Sequence, residues 1–349
     1  MKKVISVLLV LMMMISMAAC SSDTSTDKST GDSNSSVTGN SEDEVYNIRI
    51  AHVLQESTPS HIMFTEGFKP YVEEKSNGRI QVEVYANSSL GGERQTYEAC
   101  QLGTIEMTYA TTAVLANFDP KFKVFDLPFL YDDVETARKA LDGELGDAVK
   151  ADLDKVKLKL LNYPENGYRM ISNKRGPINS PADMVGLKIR TMENPIHMRA
   201  FELMGASPTP MAFSELYTAL QQGTVDGQEN PIFLTYSSKF QEVQDYLSLT
   251  GHFYAPGAIV VGLDFWNSLP EDLQVIIQEG ANIARDMQRE MLDKQNLKDL
   301  EELKKEMEVN DLTPEQKAEF AKATEPIYDE LAKELGQDLI DLALKSAGK

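Results

Sequence analysis

The chain of 349 residues has two cysteines, one tryptophan and four histidines. Two cysteines allow at most one internal disulfide, so no disulfide framework can replace a hydrophobic core. The histidines, His52, His61, His197 and His252, stand in no HExxH or CxxC context, which removes the usual zinc signatures. Absent too are the Gly-x-Ser-x-Gly elbow of hydrolases and the Gly-x-x-x-x-Gly-Lys loop that cradles phosphates. Positive charge is in deficit: 34 Lys and Arg stand against 54 Asp and Glu, a net charge of -20. Such a chain is repelled by nucleic acid and by anionic lipid surfaces. Any anionic ligand has to be captured by a local cluster of Arg or Lys working against that field.

Long apolar runs are also missing. The longest, Val4 to Ala19, falls short of the roughly 20 residues that span a bilayer. It follows Lys2 and Lys3 and ends in small residues, the pattern of a secretion signal. Met17-Ala18-Ala19-Cys20 resembles the bacterial lipobox, in which the cysteine is lipidated; an ordinary signal peptide cut nearby is the blander reading. Residues 1–20 are therefore expected to be a lipoprotein signal peptide. Ser21 to Glu44 is rich in Ser, Thr, Asp, Asn and Gly, with Val37 its only large apolar residue. It cannot bury enough surface to offset ordering entropy and reads as a flexible tether. With Cys20 lipidated, Cys100 has no disulfide partner. The expected location is outside the cytoplasm, held to the membrane by the lipid on Cys20.

What remains has 42% hydrophobic and 25% charged residues over the whole chain, ordinary for a globular protein, and a length that suits two domains. Ile48–Ile50 alternates as a strand. Pro59 and Ser60 open a helix with Phe64, Phe68, Tyr71 and Val72 at helical spacing, and Ile80, Val82 and Val84 alternate as a second strand. Strand and helix keep alternating, which predicts a parallel or mixed sheet covered by helices. In such sheets ligands sit at strand carboxyl ends beside helix starts. Asn194 before Pro195 is a good helix cap, and Gly205 a good stop. From Pro270 onward the pattern is helical almost to the end, with Leu273, Ile277, Ala284, Met287 and Met291 on one face.

Arg190 ends an apolar strand and is followed by Glu193-Asn194-Pro195. A planar guanidinium at that place can grip a carboxylate with two hydrogen bonds, or can form a structural ion pair with Glu193. The residues alone leave both open. Gly91-Gly92 before a helix reads as a helix-start loop more readily than as an anion site. The many Asp and Glu residues read as solvated surface; a glycosidase pair cannot be recognised from spacing.

Several runs resemble the solute-receptor subunits of tripartite ATP-independent (TRAP) transporters, the DctP family. They are Leu90-Gly91-Gly92-Glu93-Arg94, Asp126-Leu127-Pro128-Phe129, Leu187-Lys188-Ile189-Arg190, Pro208-Thr209-Pro210-Met211 and, above all, the run from Phe213 to Pro231 with its Gly227-Gln228-Glu229-Asn230-Pro231 end. The resemblance implies an α/β, two-domain, periplasmic-binding-protein-like (type II-like) fold with a hinge, a long domain-spanning helix and a helical C-terminus. The expected domains are 45–168 plus about 256–292, and 169–255 plus about 293–349. It implies that Arg190 makes the main carboxylate contact, that Arg169 assists, that Asn230 completes the site and that Phe213 packs on the ligand. It implies no cofactor, a monomeric receptor, and TRAP membrane subunits as partners.

Receptors for sialic acid carry a Glu and an Arg where this chain has Thr111 and Val114, so sialic acid is not expected. The Arg190-to-Asn194 segment resembles receptors for uronic and other sugar acids. A hexuronate or related sugar acid is the expected ligand, with a C4-dicarboxylate the chief alternative. His52, Glu56 and Glu93 are candidates for hydroxyl contacts; Asn194 is a ligand candidate that must choose between ligand and helix cap. Rival classes are an anchored glycoside hydrolase, a sensory receptor on the same fold and a receptor for an ATP-driven importer.

Overall fold

The computed structural model describes residues 44–349; the signal, lipobox and tether readings lie outside them. The first half of the sheet is built from β1 (Tyr46–Ala51), β2 (Ile80–Tyr85), β3 (Met107–Thr111) and β4 (Leu158–Asn162). β1 lies parallel between β2 and β3. Its partner β2 buries Ile80 and Val82 while Gln81 and Glu83 face solvent, the period of two expected of a half-covered strand.

The second half contains β5 (Glu165–Asn173), β6 (Lys188–Thr191), β7 (Ser207–Pro210) and β8 (Gly227–Asn230). β6 runs parallel between β7 and β8, and β8 is antiparallel to β5. β7 carries Pro208 and Pro210 and ends the sheet order, where a missing N–H removes no ladder bond. β9 (Tyr246–Gly262) is 17 residues long and joins both halves. Its residues Gly257–Val261 pair with β3, and Tyr246–Pro256 pair with β5. β10 (Glu308–Asp311) adds in parallel to the start of β9, giving ten strands in one mixed sheet.

A 36-residue helix, Glu271–Glu306, runs along this assembly, roughly 54 Å at 1.5 Å per residue. Its buried stripe of Leu273, Ile277, Ala281 and Ala284 packs with Phe64, Phe68 and Val72. Gly280 permits the approach: a Cβ there would lie 2.6 Å from Val72 Cγ1. Met63–Phe68, within the helical stretch predicted after Pro59, is a π-helical segment rather than a regular α-helix. Where β4 passes into β5, Gln288 of the long helix accepts from Glu165 N at 3.0 Å, and Arg289 donates to Tyr163 O at 2.7 Å. The long helix is thus tied to the point at which the chain crosses from one half to the other. The C-terminal helices are Pro314–Thr324, Pro326–Leu335 and Gln337–Ser346. Thr313 and Gln316 form a capping box at the first. Among the described residues no helix is long and apolar enough to cross a membrane.

Candidate ligand-binding site

The strands of the two halves end around a narrow, partly open pocket, with about 340 Å³ of empty space when the part open to solvent is counted. Val53 and Leu54 follow β1, Tyr109 and Thr111 belong to β3, and Glu93 opens the helix Glu93–Gln101. From the other half come Asn166 of β5, Arg190 and Met192 at the end of β6, Phe213 at a helix start, Asn230 at the end of β8, and Leu234. Adjoining space of about 240 Å³ is bounded by Val114, Glu193 and Met211 and shares Glu93, Arg190, Met192 and Phe213. Two roomier grooves, about 1380 and 1450 Å³, lie along the helix Pro314–Thr324. Their charged side chains reach solvent, so neither offers a desolvated charge.

Arg190 is buried. Its Nε and Nη2 both donate to Met211 O, at 3.0 and 2.7 Å, while Nη1 is buried without a partner. Burial pulls its pKa down to about 10, and it remains a cation at neutral pH. The structural alternative, an ion pair with Glu193, is not formed; a backbone carbonyl orients the guanidinium instead.

Arg169 takes a different place from the one expected. It is fully buried but does not line the pocket. Its guanidinium pairs with the Glu229 carboxylate, Nη2 reaching Glu229 Oε1 at 2.8 Å and Asn230 Oδ1 at 3.0 Å. It therefore acts on the pocket through Asn230. Burial opposes charge on Glu229, but Arg169, His197 and His252 outweigh it and hold the carboxyl well below its usual range. His197 Nδ1 is 3.7 Å and His252 Nε2 3.4 Å from this carboxylate. On the far side His197 Nε2 meets Asp126 Oδ1 at 3.1 Å. Burial also opposes charge on His197, yet Asp126 and Glu229 raise its pKa.

Glu93 lines the pocket and is held by Thr111, whose N–H and hydroxyl donate to its two carboxylate oxygens at 3.0 and 2.8 Å. Burial raises its pKa; those two bonds and the charge of Arg190 work in the opposite direction.

Three sequence candidates lie elsewhere. His52 is buried behind Val53 and Leu54, with Nε2 3.0 Å from His61 Nδ1 and Nδ1 accepting from Leu54 N. Glu56 is exposed and off the pocket wall. Asn194 serves its helix: Oδ1 accepts from Ile196 N and His197 N, and Nδ2 donates to Ala113 O and Asp126. An amide so committed has nothing left for a ligand. The reading missed Tyr109, Asn166, Met192 and Leu234 on the wall, and Glu229, His197 and Asp126 behind it. Strand-end position was the one available signal, and it marks Asn166 poorly.

A pocket at strand ends, walled by both halves of the sheet and offered one partnerless arm of a buried guanidinium, is the arrangement of a receptor for a small anion. Residues 50–335 match the bacterial extracellular solute-binding proteins, family 7 (DctP), and the chain belongs to that family, whose members are TRAP-transporter receptors rather than enzymes. A sugar-acid-binding protein from Advenella mimigardefordensis, solved with galactonate, superposes with TM-score 0.85 at 33% identity, over 87% of this chain and 98% of that one. A TRAP receptor from Polaromonas, bound to D-erythronate, gives TM-score 0.82 at 38% identity over 85% and 98%. A TRAP receptor from Sulfurospirillum deleyianum with bound succinate gives 0.81 at 33% identity over 86% and 98%. This chain is accordingly a receptor for small organic acids serving a TRAP transporter.

Proposed function

We propose that the ligand is a hydroxylated monocarboxylate, a sugar acid of the hexuronate or aldonate type, anchored by its carboxylate on Arg190 and Asn230. The observation that carries this reading is the partnerless Nη1 of Arg190, on the only cationic residue of the pocket wall. Nη1 of Arg169 is also buried without a partner, but Arg169 does not line the pocket, so the wall itself presents one such arm, enough for one carboxylate. Arg169, needed to anchor a second acid group, is committed to Glu229. The galactonate- and erythronate-bound relatives support the class. The succinate-bound relative favours the second reading, a C4-dicarboxylate, which would require Arg169 to be released from its buried pair.

In this reading the lobes are 45–168 with about 256–292, and 169–255 with about 293–349, and they close on the ligand because contacts from both are satisfied together only when closed. Lipidation at Cys20 holds the receptor at the outer face of the membrane for delivery to the transporter subunits. A thermal-shift panel of erythronate, galactonate, glucuronate, galacturonate, succinate and malate tests the ligand class. A ligand at 100 times its Kd adds about 2.7 kcal/mol of stability. Stabilisation by succinate or malate alone overturns the class.

A further inference from the structure

We infer that Asn166 and Glu93 form a hydroxyl-reading pole of the pocket, so that this receptor requires an O–H donor on its ligand in addition to a carboxylate. The inference rests on the ligand class proposed above and names the residues that enforce it.

Asn166 is 3% exposed and lines the pocket. No hydrogen bond is formed by its side-chain amide among the described residues, and its polar atoms are not fully buried, so the amide is open to a partner in the pocket. Its position explains the aim of the side chain. Glu165 pairs with Pro256 and Gly167 with Ala255, so Asn166 is the extra residue of a β-bulge. A bulge bends its strand and redirects a side chain, and such features gather beside binding sites. Gly167, at φ +104°, supplies the left-handed backbone after the bulge, a conformation that costs glycine little.

Glu93 contributes the opposite hydrogen-bonding sense to Arg190. Both its oxygens accept from Thr111, which fixes the carboxylate in place, and each oxygen keeps further acceptor capacity. A guanidinium can only donate and an amide does both, while Glu93, whose oxygens accept from Thr111 although burial raises its pKa, is an acceptor alone in its ionised form. The pocket therefore has a donor pole at Arg190, an acceptor pole at Glu93, and Asn166 able to serve as either. A ligand carboxylate satisfies the first. The second is satisfied only by a donor, and a hydroxyl supplies one. A dicarboxylate, ionised at both ends, presents acceptors alone and sets a like charge against Glu93. Leaving such a group unpaired is the strongest way a polar pocket rejects an analogue.

Calorimetry at neutral pH on the purified protein tests this with matched probes: D-erythronate against butyrate, and D-glucuronate against cyclohexanecarboxylate. Wild-type protein is expected to favour at least one hydroxylated probe over its deoxygenated partner by 100-fold or more. Asn166→Ala and Glu93→Gln should each shrink that ratio at least tenfold. Glu93→Gln should also gain at least tenfold for succinate. Glu93→Gln keeps the side-chain shape and carries the test if the bulge variant does not fold. An unchanged ratio in the folded variants overturns the inference and leaves the sugar-acid reading standing. Wild-type binding of succinate without either hydroxy acid overturns both.

Discussion

Arg169 donates from Nη2 to Oδ1 of Asn230 at 3.0 Å, so the amide facing the pocket is set from behind by a guanidinium that does not face it. Asn230 Nδ2 donates in turn to Gln228 Oε1 at 2.6 Å. With both partners in place the Asn230 amide has one orientation, and one Nδ2 hydrogen remains for ligand.

The pair Arg169–Glu229 is fully buried. Removing the charge of one partner leaves the other uncompensated, which costs about 3 kcal/mol or more. Glu229→Gln is therefore expected to lower the unfolding free energy measured by urea titration by that amount and to weaken ligand binding through a loosened Asn230. A stability change below about 1 kcal/mol would mean that the pair is not held as described.

Acidification should destabilise the protein through His52. Burial pushes its pKa down to about 3, helped by neighbouring His61, from about 6.5 in the unfolded chain. The unfolded state then takes up a proton that the folded state refuses, so the stability held by neutral His52 is complete above about pH 6.5 and falls as pH drops toward 3. His61, with Glu56 near it, titrates on the same side, and His252 is also lowered by burial. His52→Gln should flatten, without abolishing, the drop in urea midpoint between pH 7.5 and pH 5. An unaltered slope contradicts the assignment.

Asn194→Ala should cost about 2 kcal/mol, by loss of a helix cap and of a buried partner for Asp126. Ligand affinity of the folded variant should stay within threefold, since Asn194 does not reach the pocket. A tenfold loss of affinity with unchanged stability would restore Asn194 as a ligand contact.

Cys20→Ala should yield protein that is exported but carries no lipid, because the apolar targeting run is intact while the thiol is gone. Mass spectrometry of the membrane fraction decides it; a diacylglyceryl adduct on the variant refutes the reading.

How much of this was legible depended on how local each signal was. Arg190 at a strand end, Asn194 before Pro195, and the long apolar stripe from Leu273 are encoded within a few neighbours, and the structure has an Arg in the pocket, a capped helix and a 36-residue helix at those places. β9 was not legible. Gly251, Pro256 and Gly257 punctuate it as if it were loop, and only pairing with both halves of the sheet makes it one strand. The cluster of Arg169, Glu229, His197 and His252 draws on residues up to 83 positions apart, and no spacing rule joins them. Asn166 owes its aim to a bulge, which is a property of register between strands and not of the residue itself.

The account turns on Arg190 as the carboxylate anchor, and Arg190→Lys tests it most directly. Lys keeps the charge but loses the planar fork, one arm of which is held by Met211 O while the other is free. Isothermal titration of the folded variant with the sugar acid that binds wild type best is expected to show a loss of about 2–5 kcal/mol, or at least roughly 30-fold in Kd. Affinity within threefold of wild type would contradict the account.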